Sequence, residues 1–161
     1  MVKFGMVCAA ALAVAAPAAA QDLVPYDAVE NWEILVDPTL GNGCLMMSEF
    51  EDGSTVRIGF DPSAEQAYVT AFNDAWGSIE EGKVYPIGFT LDGEAYTGEA
   101  TGMYLDGVPG ADVMFDNEDF LVDIAARQTM TLSNEGGEVM SIDLSHSADA
   151  LLQVIACQEA Q

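Results

Sequence analysis

The side chains of this sequence that could carry out chemistry are one histidine with two serines beside it, many carboxylates and a few cysteines. His146 is the only imidazole, and Ser145 and Ser147 flank it. Acyl transfer needs a serine held against the imidazole ring and a carboxylate behind the ring. Neighbours in sequence do not supply that geometry, and the chain has no Gly-x-Ser-x-Gly elbow. We therefore interpret His146 as a solvated turn residue and predict no catalytic residue.

The densest carboxylate group predicts a helix start, with two chemical alternatives. Its members are Asp112, Asp116, Glu118 and Asp119. Acids near a helix N-terminus interact well with the helix dipole, so a helix cap with a solvated face is the first interpretation. Together with carbonyls of the loop 106–110, the four residues are calcium candidates, although their spacing is not that of an EF-hand. Paired acids about 5–10 Å apart could also hydrolyse glycosides.

Other chemical motifs are missing from the sequence. It contains no glycine-rich phosphate loop, no HExxH and no CxxC, so no cofactor is expected. The formal net charge is −23. Such a surface repels nucleic acid and anionic lipid, and it attracts a basic protein or envelope component. Solubility in a salty habitat is the alternative explanation of the charge.

The first 20 residues read as a cleaved signal peptide. Lys3 provides a positive charge, an apolar run extends from Phe4 to Val14, and residues 18–20 form a small-residue cleavage site. An uncleaved membrane anchor is the alternative, but the run is short and rich in alanine. Cleavage leaves 21–161 as a single exported domain, periplasmic or secreted, with no further segment of membrane-spanning length. Its three cations against 27 acids give a formal charge of −24.

Cys44 and Cys157 remain after cleavage and are predicted to form a disulfide. An even number of cysteines in an oxidising compartment usually indicates such a bond. Closing a loop of this length stabilises the fold by about 4–5 kcal/mol in the chain-entropy model. A metal site is the weaker alternative, because only one histidine is present to complete it.

Most of the chain shows the alternating pattern of β-strands. Val56, Ile58 and Phe60 alternate with smaller or polar residues, and Asp92-Gly93 is a strong hairpin signal. The pattern predicts about nine short strands and two short helices, the last at the C-terminus. It indicates an antiparallel β-sandwich or barrel. Residues 21–31 are interpreted as a polar lead-in.

The last helix is predicted to begin with Ser147 as its cap. At about 100° per residue, one side of this helix carries Ala148, Leu151, Leu152 and Ile155, and Cys157 points nearly opposite. A buried disulfide would then require the helix to end near residue 155 or 156.

Several aromatic residues could form a ligand platform, although core or sheet surface is the first interpretation. They are Trp32, Tyr68, Trp76, Tyr85, Tyr96 and Tyr104.

The order of these features resembles the invasion-associated locus B proteins, which are small exported β-sandwich proteins. The likeness rests on the leader, Trp32-x-Ile34, a cysteine about a dozen residues later, short alternating strands, and Leu144-Ser145-x-Ser147 before an Ala150-Leu151 helix. That family usually has a cysteine soon after the early tryptophan, whereas this chain has none between Trp32 and Cys44, so the disulfide pattern differs. The resemblance implies an exported accessory or host-interaction role, with no catalytic residue to carry over.

These observations predict a non-catalytic exported accessory protein that binds a protein or envelope partner. One alternative is an inhibitor of a basic cell-wall hydrolase such as lysozyme, since charge complementarity would promote that association. The other is a small hydrolase that uses carboxylates, with or without calcium. The identity of the partner and the oligomeric state are left open by the sequence.

Overall fold

A computed structural model describes residues 22–116 and 119–161, so the predicted signal peptide and Glu118 lie outside the described residues. The described chain forms ten strands, two α-helices and one short 3-10 turn at Pro38–Leu40. The elements are β1 (Val24–Val29), β2 (Trp32–Asp37), β3 (Gly43–Glu49), β4 (Thr55–Asp61), β5 (Gln66–Phe72), β6 (Val84–Leu91), β7 (Glu94–Leu105), β8 (Val108–Phe115), α1 (Asp119–Ala125), β9 (Thr129–Asn134), β10 (Gly137–Asp143) and α2 (Ser147–Glu159). The mainly β prediction with a C-terminal helix is confirmed, with ten strands in place of about nine.

The strands form one antiparallel sheet in the order β1-β2-β3-β4-β5-β8-β7-β6-β9-β10. Neighbours in the sequence pair as hairpins from β1 to β5, whereas β5 pairs with β8 and β6 pairs with β9 across long connections. The sheet is open, with β1 and β10 at its edges, so the barrel alternative is not realised.

The sheet curls into a sandwich-like layer around one main core. Trp32 and Ile34 lie near one edge of the sheet, Met130 and Ile142 lie near the other, and all four belong to the same buried cluster. The indole Nε1–H of Trp32 donates a 3.0 Å hydrogen bond to the carbonyl of Ser145, just beyond β10. The two ends of the sheet are therefore close in space.

Both edge strands are irregular. In β1 the pairing register shifts between Pro25 and Asp27, and in β10 it shifts between Glu138 and Met140. Bulges, proline and charge at an edge hinder the addition of a further strand. The structure also corrects the polar lead-in, since residues within it form β1.

Helix α2 differs from the prediction in where it ends, in which side is buried and in how its N-terminus is capped. It continues to Glu159, so Cys157 lies within the helix and is fully buried. The buried side carries Ala150, Leu151, Val154 and Cys157, while Leu152 is 63% exposed. The helix is rotated relative to the prediction because the stripe that includes the cysteine packs on β2 and β3.

The N-terminus of α2 has no side-chain cap. His146 occupies the cap position in a left-handed conformation (φ 63°), and its side chain makes no capping hydrogen bond. Ser147, the predicted cap, is instead the first helical residue and is buried. Its backbone N–H donates to the carbonyl of Leu144 at 3.0 Å.

The Cys44–Cys157 disulfide is confirmed. It joins β3 to α2 across 113 residues, with a Cα–Cα distance of 6.0 Å. Beside it, the backbone N–H of Cys44 donates to Oε1 of Gln158 at 2.9 Å. The two contacts fix the end of α2 on β3. Neither helix of the described chain is long and apolar enough to cross a bilayer.

Candidate functional site

A groove of about 480 Å³ lies between the two helices and the β4–β5 turn, and we call it the helix groove. Three separate stretches of the chain supply its walls. They are Phe60, Asp61, Pro62, Glu65 and Gln66 around the turn, Asp119, Leu121 and Val122 of α1, and Leu151, Ile155, Gln158 and Glu159 of α2.

Helix α1 is held in place by its apolar residues. Leu121 and Ile124 are buried in the main core. The ring of Phe120 stacks on Phe115 at the end of β8, with centroids 3.8 Å apart, and it meets Phe89 edge-on at 5.6 Å. These contacts leave Val122 pointing outward, where it is 60% exposed and forms part of the groove wall.

Helix α2 forms another wall of the helix groove. Besides its buried stripe, this helix has a second apolar stripe that is exposed. The stripe that was predicted to be buried, with Leu152 and Ile155, faces outward because the cysteine-bearing stripe packs on the sheet. Ile155 is 38% exposed and lines the groove, with Leu151 below it. The helix groove thus combines a largely apolar floor with exposed apolar side chains on both helices.

The charged residues that line the helix groove are all acidic. They are Asp61, Glu65, Asp119 and Glu159. Asp61 also orders the β4–β5 turn, since its carboxylate accepts hydrogen bonds from the backbone N–H groups of Ser63 at 2.8 Å and Ala64 at 3.2 Å.

The cations that the structure describes lie elsewhere. Lys83 forms an ion pair with Glu80, and Arg127 forms one with Glu94. Arg57 lies over the ring of Phe72. An apolar floor with an acidic rim is complementary to a segment that carries both basic and apolar side chains.

The structure does not gather the predicted calcium residues into one described site. Asp112 lies within β8 and accepts a 2.5 Å hydrogen bond from the hydroxyl of Thr70. Asp116 follows β8 and accepts one of 2.5 Å from the amide of Gln66. Four residues of extended chain span roughly 13 Å, which is far for two carboxylates to share one ion. Asp119 lies in the first turn of α1, as the helix-start interpretation expected. Because Glu118 is outside the described residues, calcium binding stays a prediction.

Among the described residues, no three histidine, cysteine or acidic side chains are grouped as a metal would require. His146 and the neighbouring Ser147 are not arranged for acyl transfer either. His146 is exposed, whereas the hydroxyl of Ser147 is buried and has no hydrogen-bond partner in the described chain. The pair therefore lacks the contact through which a base activates a serine.

Two ionisable groups on the outer face of the sheet are perturbed by burial. Desolvation raises the pKa of Asp112; the hydrogen bond from Thr70 opposes this shift, and the charge of Asp61 adds to it. Burial also raises the pKa of Tyr68 far above that of a free phenol.

The six aromatic residues do not form one platform. Trp32 and Tyr68 are buried, and Tyr96 stacks on Phe89 with centroids 5.1 Å apart. Trp76 and Tyr85 both line a second cavity, which is described below. Sequence reasoning missed the helix groove because its three walls are distant in the chain. The one available signal in the sequence was that α2 has two apolar stripes, of which the sheet can bury only one.

The comparisons with known proteins establish the fold. The sequence matches no protein-family model and no curated protein. The fold is similar to that of invasion associated protein B from Bartonella henselae, with a TM-score of 0.59 and 13% identity over 83% of this chain and 97% of that chain. The resemblance to the invasion-associated locus B proteins is thereby confirmed at the level of architecture.

Proposed function

We propose that the protein is an exported, non-catalytic accessory protein, periplasmic or secreted, that binds a basic segment of a protein partner in the helix groove. The observation that carries this proposal is the combination within one groove of exposed apolar side chains and an exclusively acidic rim. The internal disulfide is compatible with export, because such bonds persist in oxidising compartments. The likeness in fold to invasion associated protein B supports an accessory role.

The partner segment is inferred from the chemistry of the groove. Val122 and Ile155 project from opposite walls, and burying them on binding would be favourable at about 25 cal/mol per Å². Glu65 and Glu159 at the rim would meet lysine or arginine side chains. An amphipathic helix with apolar residues on one side and basic residues along its flanks would contact the apolar residues of both α1 and α2 and the acidic residues of the rim.

The overall charge would act on the rate of association. With a formal net charge of −23, the protein attracts a basic partner over a distance of about one Debye length, roughly 8 Å at physiological salt. The net charge attracts any basic partner and does not direct it to one place on the surface. The apolar walls of the helix groove must therefore determine where the partner binds.

Titration with a synthetic amphipathic peptide of leucine and lysine tests the proposal, with a leucine and glutamate peptide as control. We expect binding of the basic peptide only, weakened by salt. The charge-reversal pair Glu65→Lys/Glu159→Lys should weaken binding tenfold or more. The matched pair Glu99→Lys/Glu138→Lys changes the net charge equally outside the groove and should weaken it far less. Equal effects of the two pairs would contradict a site in the groove.

The apolar half of the proposal has its own matched pair. Ile155→Ser removes an apolar side chain from the groove, and Val84→Ser removes a comparably exposed one (52% exposed) elsewhere. Only Ile155→Ser should lower the affinity for the basic peptide. Lysozyme serves as a second probe: loss of its activity in the presence of this protein, restored by the groove variants, would identify the inhibitory form of the proposal.

A further inference from the structure

A second cavity of about 480 Å³ lies inside the curled sheet and shares no lining residue with the helix groove. We call it the inner cleft. Strands β5, β7 and β8 form its floor, β6 and the β9–β10 hairpin flank its opening, and the loop after β5 contributes Trp76.

The opening lies where the pairing of β6 with β9 stops. Strand β6 pairs with β9 only from Gly88 to Leu91. Strand β9 ends at Asn134, so no strand residue faces Pro86, which also has no backbone N–H for a ladder. At the end of the ladder, the hydroxyl of Ser133 donates to the carbonyl of Gly88 at 3.1 Å. Beyond it the chain turns at Asn134, which leaves a slot between the start of β6 and the β9–β10 hairpin.

The floor is open because its side chains are small. Ala71 pairs with Ala111, which in turn pairs with Gly102, so three adjacent strands present a row of small residues to one face. A Cβ atom at Gly102 would lie 2.3 Å from the carbonyl oxygen of Glu80. Only glycine therefore lets the loop that carries Trp76 approach the sheet this closely.

Hydrogen bonds hold this loop in place. The backbone N–H of Glu80 donates to the hydroxyl of Tyr85 at 2.8 Å, and the hydroxyl of Tyr104 donates to the carbonyl of Ile79 at 2.8 Å. The backbones of Gly82 and Gly102 are joined by a further 2.8 Å bond. The wall formed by the loop is thus fixed by hydrogen bonds within the chain, and small-molecule sites are usually largely pre-formed in this way.

The lining has a simple chemistry. It is apolar except at the mouth, where Glu135 is the one charged residue among the residues that line the cleft. Asn134 is engaged locally, since its side-chain oxygen accepts from the N–H of Gly136 at 2.7 Å. A ligand that fits must therefore be apolar over most of its length and have no negative charge at the end near Glu135.

We propose that the inner cleft binds a single-chain amphiphile, with its alkyl tail between Trp76 and the alanine floor and an uncharged or positively charged head at Glu135. A volume of about 480 Å³ falls within the range of small-molecule pockets, roughly 300–1,000 Å³. The formal net charge of −23 further disfavours an anionic head. This site is independent of the proposed partner groove.

Nuclear magnetic resonance of the two indole N–H groups tests the proposal directly. Octyltrimethylammonium, octyl glucoside and octanoate share a tail and differ in head charge, and each is titrated below its micelle concentration. We expect the Trp76 signal to shift with the cationic and neutral probes and the Trp32 signal to stay. Octanoate should bind at least tenfold more weakly, with a smaller difference at high salt.

Two variants that close the cleft provide the decisive comparison. Ala111→Leu fills the floor, and Val139→Trp covers the mouth at a position that is already 38% exposed, so at least one should fold normally. Each should weaken binding tenfold or more, whereas Ala95→Leu, on the exposed surface of β7, should not. Undiminished binding in both closing variants, a preference for octanoate, or loss of binding in Ile155→Ser would overturn the proposal, the last by assigning the probe to the helix groove.

Discussion

Trp32 and Ser145 are joined by a hydrogen bond of 3.0 Å although 113 residues separate them in the chain. The Cys44–Cys157 disulfide spans the same number of residues, and the Cys44 N–H bond to Gln158 spans 114. The β2–β3 hairpin is therefore connected to the C-terminal segment by three contacts of different chemistry.

The indole hydrogen bond of Trp32 should contribute measurably to stability. In Trp32→Phe the Ser145 carbonyl loses its donor, which costs about 1–3 kcal/mol, and the smaller ring leaves a cavity that adds to the loss. Urea unfolding measures the change. Trp76→Phe is the control, because Trp76 is only partly buried, and it should cost less. Equal losses in the two variants would mean that the bond to Ser145 adds little.

Removing the disulfide should destabilise the fold without changing it. In the chain-entropy model, Cys44→Ala/Cys157→Ala loses about 4–5 kcal/mol of unfolding free energy. Circular dichroism should retain the β spectrum while the urea midpoint falls. A midpoint equal to that of the oxidised protein would show that packing of α2, and not the covalent bond, holds the chain ends together.

Ser147→Ala should stabilise the protein. The Ser147 hydroxyl is buried and has no hydrogen-bond partner in the described chain, and such a group costs about 1–3 kcal/mol. Alanine removes the hydroxyl and keeps the helical backbone, so the melting temperature should rise. Ser48→Ala is the matched control, since Ser48 is also buried but accepts a 3.3 Å bond from the amide of Asn31, and its melting temperature should fall.

Asp112 should make stability depend on pH in an unusual direction. Its pKa is raised in the fold, chiefly by desolvation, so the folded state holds the proton more tightly than the unfolded state does. Its contribution to stability is therefore greatest below the unfolded pKa, near 3.9, and is lost as pH rises through the folded value. Asp112→Asn keeps an oxygen that can accept from Thr70 and should be more stable than the parent at neutral pH.

Asp143 provides the opposite case. Its pKa is lowered, first by the Ser145 hydroxyl and then by the Ser145 backbone N–H. It thus stabilises the fold above the unfolded pKa, and this contribution is lost as pH falls through the folded value. Asp143→Ala should be destabilised at neutral pH and approach the parent in acid. If Asp112→Asn and Asp143→Ala show the same pH profile, burial is not what distinguishes the two carboxylates.

The alternating strands were predictable because one face of each is buried. In β4, Val56 and Ile58 are buried, as the pattern required. Strand β1 was missed because it contains Pro25 and because Val24 and Tyr26 are about half exposed, so neither face of the strand belongs to the core. Its extended conformation comes from pairing with β2. The long-range β5–β8 and β6–β9 pairings likewise have no local signal.

The candidate site was less accessible to sequence reasoning than the fold. Helix α2 has two apolar stripes that share Leu151, and the one containing Cys157 is buried while the one containing Leu152 faces outward. Composition does not rank the two stripes. The choice depends on what α2 packs against, and the exposed stripe then becomes part of the helix groove.

The position of α2 also sets the order in which the protein can mature. Val154 and Cys157 belong to the same core cluster as Trp32 and Ile34, near the start of the folded chain. During synthesis the N-terminal part of a chain leaves the ribosome first. Strand β2 is therefore available for folding before Val154 and Cys157 of α2, which pack against it. The core can therefore close only after α2 has been synthesised. A chain that stops before α2 would keep the strands but would lack the residues that cover Trp32 and Ile34.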